Sequence, residues 1–269
     1  MLTGDTAEPL ARGSWQDTDP ISLDGRQLFV TSDRLGPYHG WLIDLTGTAA
    51  AREVTPPHAL GTSPSPGGTL VAYAAAGGRG RSRRDRGGIA VVPVAGGAPR
   101  ALPTEAADAA PRFTRDGAHV LFERMGAGVR QIFVVPVAGG AARALVSGMQ
   151  VAPSPIDDTF VYVTERDAAG MRRVMIADLA GTAPRPLPGL EPGAWQVPRF
   201  AADGARLLFV KGYQDVVVVT VDGSAPPRTL WSAGVSSISV ASWAGPGDEV
   251  IGSISAYEGD LWLADGRFP

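Results

Sequence analysis

Cysteine is absent from this 269-residue chain, which excludes disulfide frameworks, thiolate metal sites and thiol nucleophiles. Lysine is almost absent as well, because all but one of the 24 basic residues are arginines and Lys211 is the exception. The two side chains are not chemically interchangeable. We therefore attribute this bias, together with the abundance of alanine, glycine and proline, to a GC-rich genome.

Charge of one sign and long apolar runs are also missing. The formal net charge is −3, and arginines and acidic residues are mixed along the chain, which argues against a nucleic-acid groove or a polybasic membrane anchor. No apolar run approaches the roughly 20 residues of a membrane-spanning helix. The residues after Met1 lack the charged-then-apolar order of a signal peptide. With 44% hydrophobic residues, the composition is that of a globular protein.

Histidine is scarce, and the three that occur, His39, His58 and His119, lie far apart in the sequence. A metal site needs ligands that converge, so we interpret each as a surface or turn residue. The G-x-S-x-G turn of serine hydrolases is absent too. The sequence therefore predicts no metal site, no cofactor and no catalytic residue, and favours a protein that is not an enzyme.

What the sequence does contain is a repeat. A turn recurs between two strand-like runs, and its last residues are Gly25, Gly68, Gly117, Asp158, Gly204 and Asp248. Successive turns are 43, 49, 41, 46 and 44 residues apart. Periods of this length are typical of propeller blades, which hold four short strands each. The sequence therefore predicts an all-β fold, a six-bladed β-propeller of four-stranded antiparallel blades, with residues 1–269 as a single domain.

Each repeat has the same internal order. After the turn come two nearly continuous apolar runs rich in β-branched residues, which indicates strands buried on both faces. The last run of a repeat contains arginine, which follows proline in "APRAL", "APRPL" and "PPRTL" and alanine in "AARAL". Proline cannot donate a ladder hydrogen bond, and charge discourages edge-to-edge association, so this run should be the outermost strand. Pro93 and Pro136, in the third strands, should lie at a strand end or a bulge.

The two ends of the chain resemble two halves of one repeat. The last repeat stops after its third strand, at residues 261–264, and residues 7–11 read "AEPLA", like a missing outermost strand. We expect an N-terminal strand at about residues 6–11 to pair into the last blade, about residues 234–269, and to close the ring. The alternative is an open stack of six units, although such solenoids have atypical capping ends rather than complementary halves.

The repeat unit resembles a known family. The stretch "APRFTRDGAHVLFERMGAGVRQIFVVPVAGGAARAL" is similar to the WD-repeat-like propeller units of the TolB family, and the similarity extends over essentially the whole chain. In that family a six-bladed propeller is paired with a small α/β domain, which this sequence lacks. The resemblance implies a cell-envelope protein, periplasmic or extracellular, whose propeller binds partner proteins. A cytoplasmic location stays open.

The strongest departure from the repeat is "GGRGRSRRDRGG", between the second and third strands of repeat two. Its arginines are Arg79, Arg81, Arg83, Arg84 and Arg86. This segment is either a solvated loop or a docking element for an acidic partner, a phosphate-bearing ligand or anionic headgroups. It contains no aromatic residue for base stacking, so no nucleic-acid partner is expected.

Five further residues are binding candidates. Arg112 and Arg199 share a register in "PRF" on the innermost strand, where they either hold an anion near the channel or stabilise the blade. Trp15, Trp195 and Trp243 precede the first strands of repeats one, five and six. They either form an exposed hot spot beside the arginine-rich loop or pack between blades.

Acid–arginine pairs end the second strand of three repeats: Asp33–Arg34, Glu123–Arg124 and Glu165–Arg166. Their repetition favours a structural pair that ties each hairpin to its neighbour. The functional alternative is a ring of polar groups at one mouth of the channel.

Three functions remain in view. The favoured one is a non-catalytic, monomeric interaction or scaffold module that binds a protein or peptide at its loop-rich face or central channel. The second is a small-ligand or sugar sensor domain of a larger receptor. The third is a propeller hydrolase or lyase acting at the channel mouth.

Overall fold

The protein is seen in a computed structural model that describes residues 2–3, 6–7, 17–22, 26–33, 36–76, 86–126, 128–181, 184–234, 236–244 and 249–255. The regular structure within these ranges consists of β-strands. No helix in this part of the chain is long and apolar enough to cross a membrane. The chain is therefore an all-β protein over the ranges described.

Five antiparallel sheets each contain four strands that are consecutive in the chain, and we call them blades 1 to 5. Blade 1 contains β3 (Asp17–Ser22), β4 (Gln27–Ser32), β5 (His39–Asp44) and β6 (Arg52–Glu53). Blade 2 contains β7 (Ala59–Pro64), β8 (Leu70–Ala76), β9 (Arg86–Pro93) and β10 (Arg100–Ala101). Blade 3 contains β11 (Ala109–Phe113), β12 (His119–Gly126), β13 (Val129–Pro136) and β14 (Arg143–Ser147). Blade 4 contains β15 (Met149–Pro153), β16 (Thr159–Val163), β17 (Val174–Asp178) and β18 (Arg185–Pro186). Blade 5 contains β19 (Trp195–Phe200), β20 (Arg206–Lys211), β21 (Asp215–Thr220) and β22 (Arg228–Ser232).

A further sheet combines strands from both ends of the described chain. Its order is β2 (Thr6–Ala7), β1 (Leu2–Thr3), β24 (Val250–Ser255) and β23 (Ser237–Trp243). The protein is thus a propeller of four-stranded antiparallel sheets with five consecutive blades, where the sequence predicts six, because this last sheet is not built from consecutive strands. Residues 8–11 and 261–264, which the sequence assigns to the closing strands, lie outside the described residues.

The innermost strands contact one another in cyclic order, β3, β7, β11, β15, β19 and β23, and β23 contacts β3 again. In each of them the pairing register with the second strand shifts once, at a β-bulge. A bulge bends and twists a strand locally. The recurrence of this irregularity marks the inner strands as equivalent.

Apolar side chains fill the interfaces between neighbouring sheets, which we call seams. One cluster joins blades 4 and 5 through residues such as Val161 and Phe209, and another joins blades 3 and 4 through residues such as Ile132 and Phe160. The second strands are buried on both faces, as the continuous apolar runs predict, and Phe209 has no exposed surface. Burial of such a side chain contributes about 1.5–3 kcal/mol.

The strands that contain proline and arginine lie outermost in blades 2 to 5, which confirms that prediction. Pro93 and Pro136 are the last residues of β9 and β13. Both prolines therefore lie at strand ends, where the missing N–H donor does not interrupt the hydrogen bonds between neighbouring strands.

Arginines of the outermost strands also reach across the seams. Arg100 Nη2 donates to the Val137 carbonyl of blade 3 at 2.6 Å, and Arg143 Nη2 donates to the Leu179 carbonyl beside blade 4 at 2.6 Å. Arg52 makes the equivalent bond to blade 2 at 2.8 Å. These arginines therefore tie blades 1, 2 and 3 each to the following blade, in addition to placing charge on an edge.

Candidate functional site

One face of the propeller carries the loops between the second and third strands. The innermost strands begin at this same face, because they run antiparallel to the second strands, as in the pairing of Met149 with Val163. Equivalent loops of neighbouring blades lie side by side, since blades repeat around one axis. We call this end the loop face.

Exposed apolar side chains gather on the loop face. Met125 and Val129 flank the loop of blade 3, Met171 lies in the loop of blade 4 and Tyr213 in that of blade 5, with 42–51% of each side chain exposed. We call these four residues the loop-face patch. The other exposed large apolar residue in the described chain, Ile156, lies in the turn between the first two strands of blade 4, at the opposite face.

The loops that carry the patch are held by hydrogen bonds. Asp167 Oδ1 accepts from the backbone N–H groups of Ala169 and Met171, at 3.0 and 2.9 Å. The Tyr213 carbonyl accepts from the N–H of Ile238 at 2.7 Å. A surface ordered before binding loses less conformational entropy when a partner docks.

Charged side chains surround the patch. Arg130 Nη1 lies 3.6 Å from Glu123 Oε2, and its Nε lies 4.0 Å from Glu165 Oε1. Arg172 Nη1 donates to Gln150 Oε1 at 3.4 Å. Burial lowers the pKa of Arg172, and the nearby positive charge of Arg166 lowers it further.

The bulged residues of the inner strands link blades 3, 4 and 5 at the loop face. Gln150 and Val197 have φ values of 54° and 50°, in the left-handed region that side chains rarely adopt. Their backbone N–H groups point to acceptors on the preceding blade: Glu123 Oε1 at 2.7 Å for Gln150 and Gln150 Oε1 at 3.1 Å for Val197. These two hydrogen bonds connect blades 3, 4 and 5 at the end of the propeller that carries the loop-face patch.

Within two of the predicted acid–arginine pairs, Glu123–Arg124 and Glu165–Arg166, each residue has a partner elsewhere in the described structure and not its neighbour. Consecutive residues of a strand point to opposite faces, so Glu123 turns toward blade 4 while Arg124 binds Asp108 in the connection from blade 2, at 2.8 and 2.7 Å. The hydrogen bond to Asp108 raises the pKa of Arg124. Both residues tie their hairpin to a neighbour, by separate routes. Arg34 lies outside the described residues.

Arg112 and Arg199 occupy equivalent places, as predicted. They lie on β11 and β19, each 9% exposed, and each Nη1 donates to the carbonyl of the preceding proline, at 2.8 and 2.9 Å. Whether the pair holds an anion stays a prediction.

The tryptophans are placed differently from one another. Trp195 begins β19, but Trp243 ends β23, at the opposite face, so the expected common position of these two is wrong. Trp243 has the register of Phe113 and Phe200, at the ends of their strands. Both indoles are buried in seams, 4% and 6% exposed, and their Nε1 groups donate to the carbonyls of Glu191 and Arg199. Trp15 lies outside the described residues.

The arginine-rich loop falls mostly outside the described residues, with Arg79, Arg81, Arg83 and Arg84 among those not covered. Arg86 is the first residue of β9, and β8 ends at Ala76. These two anchors are a second and a third strand, so the segment joins blade 2 at the loop face.

The histidines do not converge. His58 lies in a turn with φ of 66°, as predicted, whereas His39 is buried at the start of β5, with Nδ1 3.4 Å from Glu53 Oε2, so its expected surface or turn position is wrong. Among the described residues, no group of three or more His, Cys, Asp or Glu side chains is placed to hold a metal ion.

Sequence reasoning missed the loop-face patch. The available signal was methionine, of which the chain has five, because Met125 and Met171 both fall between second and third strands. Loops without a shared sequence pattern do not reveal such a surface until the ring brings them together.

No protein-family model matches the sequence, and no curated protein matches it either. Solved structures do. A TolB structure from Agrobacterium tumefaciens is 18% identical with a TM-score of 0.67, and the match covers 80% of this chain and 80% of that one. TolB from Acinetobacter baumannii is 18% identical with a TM-score of 0.66, and the match covers 81% of this chain and 55% of that one.

The chain is a β-propeller whose fold is similar to that of TolB. A puromycin-hydrolyzing peptidase from Mycobacterium tuberculosis is also similar, at 20% identity and a TM-score of 0.62 over 83% of this chain and 38% of the peptidase. At these identities the likeness shows the fold alone. The TolB-like propeller architecture is thus shared by proteins with different functions.

Proposed function

We propose that this propeller is a non-catalytic module that binds a protein or peptide on its loop face. The observation that carries the proposal is the loop-face patch, in which three blades present exposed methionine, valine and tyrosine side chains on one surface. Exposed apolar groups that share one face of a protein and lie among charged side chains are typical of interaction sites. Methionine suits such a surface because its flexible, polarizable side chain adapts to a partner.

The arginine-rich loop is part of this proposal. We propose that it lies on the loop face of blade 2, next to blade 3, because it connects β8, which ends at Ala76, to β9, which begins at Arg86. The segment 77–88 has five arginines and one aspartate. We propose that Arg79, Arg81, Arg83, Arg84 and Arg86 attract an acidic partner to the patch by long-range electrostatics, which raises association rates.

We also propose that the sheet formed by both chain ends is the sixth blade and that it closes the ring. The cyclic contacts of the inner strands support this, as does the seam in which Leu28 of blade 1 packs against Ala244 and Ile251. With the TolB likeness, the proposal extends to a monomeric interaction module of the cell envelope, periplasmic or extracellular.

Serine substitutions on the two faces test the binding proposal. The double variant Met171→Ser/Tyr213→Ser removes apolar surface from the patch, and Ile156→Ser removes an equally exposed side chain from the opposite face. The tagged proteins are cross-linked in an envelope extract, and captured proteins are quantified by mass spectrometry. A protein captured by the wild type should be lost from the double variant and retained by Ile156→Ser. Equal capture by all three proteins, with unchanged thermal unfolding, contradicts the proposal.

A further inference from the structure

Arg172 is a half-buried cation whose donors are incompletely used. Its Nη1 has the long bond to Gln150, whereas Nε is buried without a hydrogen-bond partner in the described structure. Nη2 makes no hydrogen bond to any described residue. The backbone of Arg172 is fixed independently, by paired hydrogen bonds with Gly193 at 2.9 and 3.0 Å.

The surrounding charges leave one positive charge unmatched. Arg130 lies between Glu123 and Glu165, and among the described residues no carboxylate lies within 4.0 Å of Arg172. Arg166 donates to the Gly170 carbonyl of its own loop at 2.9 Å. Arg130 thus has both glutamates as partners, whereas Arg172 has no carboxylate at contact distance among the described residues.

Apolar side chains border this cation on three blades. Met171 is its neighbour in the chain, and Tyr213 of blade 5 and Arg130 of blade 3 lie close enough to influence the pKa of Arg172. Val129 precedes Arg130 in β13. An anion at Arg172 would thus sit among the members of the loop-face patch.

We propose that the loop face recognises a peptide segment in which an Asp or Glu carboxylate stands between apolar side chains, and that Arg172 binds this carboxylate. The inference rests on the proposed function and names the partner's chemistry. Nη2 is the nitrogen left to donate to a carboxylate oxygen, and the charge of the guanidinium strengthens such a bond. The apolar neighbours in the segment cover Met171, Tyr213 and Val129. A doubly charged phosphate fits less well, because Glu123 and Glu165 lie close by.

Three labelled peptides test the charge and the apolar requirement separately. The first is a fluorescein-labelled heptapeptide, blocked at both ends, that alternates leucine with aspartate or glutamate. The second replaces each acid by Asn or Gln, and the third replaces each leucine by serine. Fluorescence anisotropy with the wild type should show binding of the first peptide and affinities about tenfold lower for the other two, because the second peptide loses the charged bond to Arg172 and the third loses the apolar contacts.

Variants at two adjacent arginines assign the charge to one residue. Arg172→Gln should bind the acidic peptide about tenfold more weakly and abolish its advantage over the Asn/Gln peptide. Arg172→Lys keeps the charge but not the planar guanidinium and should restore part of that advantage. Arg173→Gln, at an exposed neighbour, should behave as the wild type.

The results separate this inference from the proposed function. A wild type that shows no preference for the acidic peptide overturns the inference without any variant, and so does a preference that survives Arg172→Gln. If partner capture still depends on Met171 and Tyr213, the proposed function stands in either case. If peptide preference does not depend on Arg172 and partner capture does not depend on Met171 and Tyr213, both the inference and the proposed function are overturned.

Discussion

Asp108 shows how a single buried charge organises a connection between blades. It has no exposed surface and accepts from Arg124 and from the backbone N–H of Glu105 at 2.8 Å. The Arg124 guanidinium also lies 4.3 Å from the ring centroid of Phe133. A buried carboxylate needs such partners, because water no longer solvates it.

Replacing Arg124 by methionine should destabilise the protein by about 3 kcal/mol. The substitution keeps the packing on Phe133 but leaves the Asp108 carboxylate buried without its cation, and breaking a buried pair has a cost of this order. Urea unfolding followed by tryptophan fluorescence measures the change.

The control is Arg115→Gln, which removes an exposed ion pair with Asp158 that has an N–O distance of 3.1 Å. Exposed pairs contribute less than about 1 kcal/mol, so this variant should unfold near the wild type. Equal losses in the two variants would show that Arg124 does not compensate a buried charge.

At the scale of single residues, the sequence predicted types of position better than partners. The shared place of Arg112 and Arg199 follows from "PRF", because the same register recurs in two repeats. The partners of Glu123 and Arg124 do not follow, because each belongs to another segment. The predicted position of Trp243 is wrong for a different reason. It rests on matching one tryptophan with another, whereas Trp195 begins its strand and Trp243 ends its own.

At the scale of elements, the outermost strands have two tasks. Their arginines keep the edge charged, and in blades 1, 2 and 3 they also hold a carbonyl of the next blade. The sequence predicted the position of these strands from proline, which cannot donate in a ladder. It did not predict the bonds across the seams, because a carbonyl carries no sequence signature.

Arg143→Ala should lower the free energy of unfolding by about 0.5–1 kcal/mol. It removes the donor to Leu179, a charge-assisted bond that is partly screened by solvent because Arg143 is exposed. Arg185→Ala is the matched control, because Arg185 occupies the same place in blade 4 and makes no side-chain hydrogen bond to a described residue. Denaturant midpoints of both variants decide the point, and an equal shift in the two would argue against a contribution from the bond across the seam.

The bulges of the inner strands were not predictable at this scale. Glycine marks the left-handed position in blade 2, at Gly61, but Ala110, Gln150 and Val197 adopt it in blades 3 to 5. These residue types favour ordinary strand or helix. Their conformation is imposed by the ring, which supplies acceptors such as Glu123 for the displaced N–H groups.

At the scale of the whole molecule, the repeat spacing predicted the propeller and the four-stranded sheets. The number of consecutive blades differs from the prediction, since the sheet at the chain ends takes β1 and β2 from the N-terminus. The repeat spacing reports the number of turns between first and second strands, and the sequence contains six of these turns. It does not determine which segment occupies each strand position in a sheet assembled from two distant parts of the chain.

A disulfide across the shared sheet tests ring closure. Leu2 and Val250 are Cα partners in an antiparallel pair, a geometry that a disulfide can bridge. The natural chain has no cysteine, so Leu2→Cys/Val250→Cys can form one intramolecular bond.

Under oxidising conditions the double variant should migrate faster on a non-reducing gel. Its urea midpoint should rise and return to the wild-type value on reduction, because closing a loop of more than 100 residues contributes up to about 5 kcal/mol. Each single-cysteine variant is a control. Free thiols that persist in the oxidised double variant would contradict closure by this pair.

The loop-face patch draws its members from the hairpins of three different blades. Substitution of an exposed member on one blade leaves the members on the other two blades in place. The binding surface can therefore change one blade at a time during evolution, while the residues on the other two blades still contact the original partner.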